Sequence, residues 1–246
     1  MSELTGQTIT VQGHGGDDIE AYTASPTGES RRGGVVVIHH MPGYDRATKE
    51  IARRFAELGY DAIMPNLYWR EAPGAAPDDA AATARAQGGV PDARLIGDVE
   101  AAAAYLRALP ASNGKVGVIG YCSGGRQAYL AACTLPGIDA AVDCYGGGVA
   151  RPPGELTPLQ PVDPLDYTKN LSCPLLGLFG KEDQRPSPAQ VAKTEAELKK
   201  WGKTYEFHSY DKAGHSFFSV DRPSYRSEAA VDGWERVFQW FGKYLR

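Results

Sequence analysis

Apolar residues along this chain switch repeatedly between strand-like and helix-like spacing. Residues 8–12 and 19–24 alternate weakly around the turn Gly13-His14-Gly15-Gly16 and predict an opening hairpin. Residues 34–39 hold the continuous run Val35-Val36-Val37-Ile38, the pattern of a strand buried on both faces. From about 46 to 58 the spacing becomes helical, with Ile51, Phe55 and Leu58 on one side and Gly59 as the stop signal. Residues 60–64 predict a short strand halted by Pro65. The stretch 66–91, rich in Pro, Gly, Ala and Asp, is a long excursion with some helix. A helix over about 93–109 follows, then a turn at Asn113-Gly114, a strand at 116–120 and a helix at 126–135. A strand at 140–145 leads into Gly146-Gly147-Gly148 and a Pro-rich loop at 151–164. Strands at 175–179 and 204–209 flank a helix at 189–201. A last helix at about 228–245 buries Trp234, Phe238, Phe241 and Leu245.

This alternation of β and α units implies an α/β fold: one domain over residues 1–246, with a mostly parallel sheet of seven to eight strands and helices on both faces. In such sheets, ligands sit beyond the carboxyl ends of the strands.

Composition narrows the function classes. The chain has 246 residues, 42% hydrophobic and 23% charged, as expected of a globular protein large enough to need no disulfide or metal staple. A net charge of −4 disfavours a nucleic-acid binder. Residues 1–11 are polar and do not resemble a signal peptide, and no run approaches the roughly 20 apolar residues of a membrane span. Cys122, Cys133, Cys144 and Cys173 show no metal-binding spacing, so free thiols in a cytoplasmic protein without metal or cofactor are expected.

The chemistry concentrates at Gly120-Tyr121-Cys122-Ser123-Gly124-Gly125, between a predicted strand and a predicted helix. This is the nucleophile-elbow pattern of α/β-hydrolases with cysteine as the nucleophile. The helix N-terminus favours a thiolate, and the Ser123 N–H is placed to donate to an oxyanion. Ser123 itself stands one residue too late to be the nucleophile. A base and an orienting acid are required. His215, in Ala213-Gly214-His215-Ser216-Phe217, follows the last predicted strand. Asp183 follows the preceding one, with Glu182 and Asp143 as alternatives. The order Cys122, Asp183, His215 is that of α/β-hydrolase triads. His208, within a strand, reads as structural, and His14, in a turn, as solvated.

At these residues the chain resembles the dienelactone hydrolase (carboxymethylenebutenolidase) family. The likeness rests on Gly120–Gly125, on Ser112-Asn113-Gly114-Lys115-Val116-Gly117, on Ala213–Phe217 and on Leu67-Tyr68-x-Arg70-x-Ala72-Pro73-Gly74. The resemblance implies a Cys122–His215–Asp183 triad acting on a small ester or enol-lactone without a cofactor. It also implies an oxyanion hole from the N–H groups of Ser123 and Met41. Two departures stand out. Family members carry a glutamate, which interacts with the resting thiol, where this chain has His40; a histidine there could favour the thiolate or act as a second donor. Of the two arginines that grip a substrate carboxylate, the first aligns with Arg85, and the second falls at Ser219 with Arg222 nearby. Tyr145, Tyr121 and Trp69 are candidate pocket walls. A small-molecule partner, no membrane or nucleic acid, and a monomer or weak homodimer are the accompanying expectations. A non-catalytic small-molecule binder on the same fold is the alternative reading. A thiol redox sensor is a third, without an obvious resolving cysteine.

Overall fold

The computed structural model describes residues 3–152 and 154–246. The opening hairpin is longer than the weak alternation suggests. Strands β1 (Leu4–Gln12) and β2 (Asp18–Pro26) pair antiparallel without a break from Leu4↔Pro26 to Gln12↔Asp18. Strands β3 (Arg32–Ile38), β4 (Asp61–Pro65), β5 (Ser112–Tyr121), β6 (Ala140–Cys144), β7 (Leu175–Gly180) and β8 (Tyr205–Tyr210) complete one sheet. Its order is β1-β2-β4-β3-β5-β6-β7-β8. Pairing is antiparallel up to β2–β4 and parallel from there to β8. This is the sheet of the α/β-hydrolase fold.

Six α-helices lie between and after these strands among the described residues: α1 (Arg46–Glu57), α2 (Pro77–Ala86), α3 (Asp92–Ala108), α4 (Ser123–Thr134), α5 (Pro188–Lys200) and α6 (Ser227–Tyr244). Side chains of a strand point alternately to opposite faces, which is why the apolar run in β3 is continuous. Val36 and Ile38 pack into the layer holding α2, α3 and α4. Val35 and Val37 pack into the layer holding α1 and α6. Capping boxes fix two helix starts: Asp45 accepts from the Thr48 N–H before α1, and Ser187 from the Gln190 N–H before α5. No described helix is long and apolar enough to cross a membrane.

Two boundaries differ from expectation. The Asn113-Gly114 turn lies inside β5, as an irregularity where the β3–β5 register shifts and Lys115 N donates to Asn113 Oδ1 at 2.9 Å. Helix α4 begins at Ser123, three residues before Arg126. Gly124 and Gly125 read as turn residues by propensity, but tight packing against neighbouring backbone holds them in the first helical turn.

Candidate active site

Strand β5 ends at Tyr121 and α4 starts at Ser123, so Cys122 alone makes the turn. Its backbone lies at φ 57° and ψ −120°, in a region L-residues rarely adopt. Two hydrogen bonds hold it there: Cys122 N donates to the Cys144 carbonyl on β6, and Gly125 N donates to the Cys122 carbonyl, both at 3.0 Å. The glycines around it are required by close approach. A Cβ on Gly120 would lie 1.9 Å from the Gly124 oxygen, and one on Gly124 would lie 2.3 Å from the Ile38 oxygen. The start of α4 is thereby pressed against the end of β3. Ser123 immediately precedes Gly124 at the start of α4, and Met41 lies three residues past Ile38. No hydrogen bond among the described residues uses the N–H of either, so both are free to donate.

His39, two residues before Met41, steadies this corner. Its Nδ1 lies 2.8 Å from the His40 carbonyl, while Leu67 N donates to its Nε2 at 3.1 Å. That pair of bonds fits the neutral Nδ1–H tautomer. Burial, partly offset by the His40 carbonyl, lowers its pKa to about 4.

The candidate base and acid meet across two loops whose backbones are tied together. Glu182 N donates to the Ala213 carbonyl and Lys181 N to the Tyr210 carbonyl, each at 2.9 Å. Asp183, 2% exposed, then places Oδ2 2.8 Å from His215 Nδ1, while its Oδ1 accepts from Arg185 N at 2.8 Å. Burial opposes the His215 imidazolium, but hydrogen bonding to Asp183 and to the Cys122 sulfur outweighs it and raises the pKa to about 10. The Tyr145 ring, held at φ 43°, meets the His215 ring edge-on at 5.2 Å between centroids.

The acid alternatives sit elsewhere. Asp143 lies behind the elbow, where its Oδ1 accepts from Gly146 N at 2.7 Å and burial pushes its carboxyl up to about 7. Glu182 is exposed and makes no bond to His215.

Cys122, Ser123, Asp183 and His215 line one cavity of about 550 Å³. Its far wall carries Arg126 and Arg151. Arg126 is buried and makes a bidentate pair with Asp92 at 2.6 and 2.9 Å. Arg151 bonds to Gln160 and to the Glu155 carbonyl, and its Nε lacks a partner. Neither arginine stands out in sequence, because Asp92 is 34 positions from Arg126 and the 151–164 loop carries no periodic signal. Tyr68 is likewise inconspicuous in sequence. Burial, and next the charge of Cys122, push its hydroxyl pKa upward, and its ring meets the His39 ring edge-on at 4.9 Å between centroids. Its only sequence signal is the Leu67-Tyr68-x-Arg70 segment.

The remaining candidates are scattered. His40 turns to Asp45, with Nε2 2.9 Å from Oδ2, and lines a neighbouring cavity together with Tyr121, Tyr145 and Ser219. Burial favours the protonated Asp45 carboxyl, but hydrogen bonds from His40 and Thr48 prevail and lower its pKa to about 2. Trp69 borders a third cavity with Glu20 and Tyr44, not the one holding the thiol. Arg85 is exposed in the last turn of α2, where its charge acts on the Tyr68 hydroxyl. Arg222 is exposed and lines none of these three cavities. His208 accepts from Arg236 Nη1 at 3.0 Å on the outer strand β8, and His14 is exposed in its turn.

Comparison with known proteins gives these features a family. The sequence pattern of the dienelactone hydrolase family matches residues 19–245. A Methylorubrum extorquens protein provisionally named carboxymethylenebutenolidase is 35% identical over 234 residues, covering 92% of this chain and 77% of the relative. A carboxymethylenebutenolidase from Pseudomonas putida is 31% identical, covering 93% and 92%. The crystal structure of a provisionally assigned dienelactone hydrolase from Klebsiella pneumoniae superposes with a TM-score of 0.89 at 29% identity, covering 98% of this chain and all of that one. Pyrococcus horikoshii acylaminoacyl peptidase shares the fold at a TM-score of 0.77 and 18% identity over 42% of its own length. The chain belongs to the dienelactone hydrolase family.

Proposed function

We propose that this protein hydrolyses a carboxylic ester or lactone through a covalent thioester on Cys122. The observation that carries the reading is the Asp183–His215 pair at 2.8 Å opening onto the same cavity as a cysteine at a strained elbow. The raised pKa of His215 keeps the thiol's proton on its imidazole, and the Cys122 sulfur attacks the substrate carbonyl carbon. The N–H groups of Ser123 and Met41 receive the oxyanion. The intermediate collapses with cleavage of the C–O bond, and His215 returns its proton to the leaving oxygen. In a lactone that oxygen stays tethered to the acyl group. Water, deprotonated by His215, then attacks the thioester and releases the carboxylic acid. Asp183 holds the imidazole in the required tautomer and stabilises its charge.

The test is hydrolysis of small p-nitrophenyl esters and lactones by the native protein and by Cys122→Ala. Loss of the nucleophile lowers kcat by about 10³-fold or more. A Cys122→Ala protein with native turnover would refute the reading.

A further inference from the structure

The triad lies beside a second cavity whose chemistry differs from its own. This cavity, of about 540 Å³, opens between α1 and α6. Its floor is aromatic: Tyr121, Tyr145, Phe218 and Trp234. Those rings pack on one another, with Tyr121 5.9 Å from Phe218 and Phe218 5.5 Å from Trp234. Val220 and Val231 stand at its edge, 69% and 58% exposed.

Several links join this cavity to the reacting groups. Tyr121 precedes Cys122 in the chain, and His40 precedes Met41. The Tyr145 ring lies against His215, and its hydroxyl is influenced by the Cys122 charge. Cys122 itself packs against the apolar cluster that forms the floor.

Most polar groups near the floor are engaged, while the buried Tyr121 hydroxyl has no partner among the described residues. His40 is paired with Asp45, and Ser219 lines the cavity beside Tyr145. The Arg54 guanidinium is stacked 4.6 Å over Trp234. Glu50 is paired with Arg53 at 2.6 Å, and the exposed Arg46 and Asp221 carry opposite charges. Ser219 and His40 are the two positions where the family resemblance leads one to expect an arginine and a glutamate. Without that arginine, this wall offers aromatic surface and no buried cation.

We propose that this aromatic cavity binds an uncharged apolar substituent of the ester, on one flank of the scissile bond. The assignment rests on the hydrolase reading above and narrows its substrate class to esters or lactones with a sizeable hydrophobic group. Burying apolar surface there tightens substrate binding by up to about four-fold per methylene.

Two ester series test the assignment. One lengthens the acyl chain from acetate to hexanoate on a fixed leaving group. The other enlarges the leaving group from methyl to benzyl on a fixed acyl group. In at least one series, kcat/KM rises about ten-fold or more. Val231→Trp, at an exposed site on α6 that tolerates substitution, narrows the cavity and removes most of that rise. Ser219→Arg brings a guanidinium to the floor and shifts preference at least ten-fold from hexanoate toward the adipate half-ester, which has the same chain ending in a carboxylate. Acetate turnover with no rise in either series would overturn the assignment while leaving the hydrolase reading intact. So would a rise that both variants leave untouched. A native protein inactive on every ester would overturn both.

Discussion

In the proposed reaction, a thiol becomes a directed nucleophile through three local constraints. Cys122 is held at positive φ by backbone bonds to β6 and α4, its neighbours are glycines because other backbone lies within reach of a Cβ, and His215 faces it with Asp183 behind. The chain order of these three residues is legible because each follows a strand that the apolar pattern marks clearly. The partner of His40 is not legible, since Asp45 is five positions away in an irregular loop and only the fold turns the two side chains together. The raised pKa of His215 makes a direct prediction. With Asn in place of Asp183, burial is no longer opposed by a carboxylate, and the imidazole titrates far below about 10. Turnover falls by about 10²–10⁴-fold, because the tautomer is no longer fixed. NMR titration of the His215 ring checks the first effect, and an unchanged titration curve would contradict this account of the pair. For stability the sign is fixed: the pair contributes fully below the ordinary histidine pKa of 6.5, and its contribution is lost as pH rises through about 10.

At the scale of elements, the strands and helices follow from spacing, while their junctions follow from contacts across the sheet. Continuous apolar runs identify β3 and β5, which bury both faces, and period-3.6 stretches identify α1 and α6, which each bury one. The start of α4 is hidden in the sequence, since Gly124 and Gly125 are poor helix formers and only the packing against β3 and β6 explains them. The start of α3 is joined to α4 in the same non-local way, by the buried Asp92–Arg126 pair on the wall of the thiol cavity. Asp92→Ala leaves the guanidinium buried without its counter-charge and destabilises the fold by about 3–5 kcal/mol. Urea unfolding of the variant checks this value, and a loss below about 1 kcal/mol would show that Arg126 finds another anion or reaches water.

Across the whole molecule, one sheet with two unlike apolar layers sets the proposed triad between two unlike cavities, one with arginines on its wall and one with aromatic rings on its floor. The sheet and its layers could be foreseen from alternation alone. The division into two cavities could not, because loops from five different strand ends build it. The same compact corner makes stability sensitive to acid. Neutral His39 is favoured in the fold, with its pKa lowered from 6.5 to about 4 by burial. Its contribution, on the order of 3 kcal/mol, is complete above pH 6.5 and lost as pH falls through about 4. His39→Gln keeps a donor and an acceptor without titrating, so the variant loses less stability than the native protein between pH 7 and 4, as read from urea midpoints. Equal losses would remove His39 from this role. The proposed hydrolysis stands or falls on the covalent step at Cys122. Rapid quenching of the protein with a slowly deacylating ester, followed by peptide mass spectrometry, tests it most directly. The account predicts one acyl group, carried on Cys122. Full turnover with no acyl group on Cys122, or an acyl group on Ser123 instead, would contradict it.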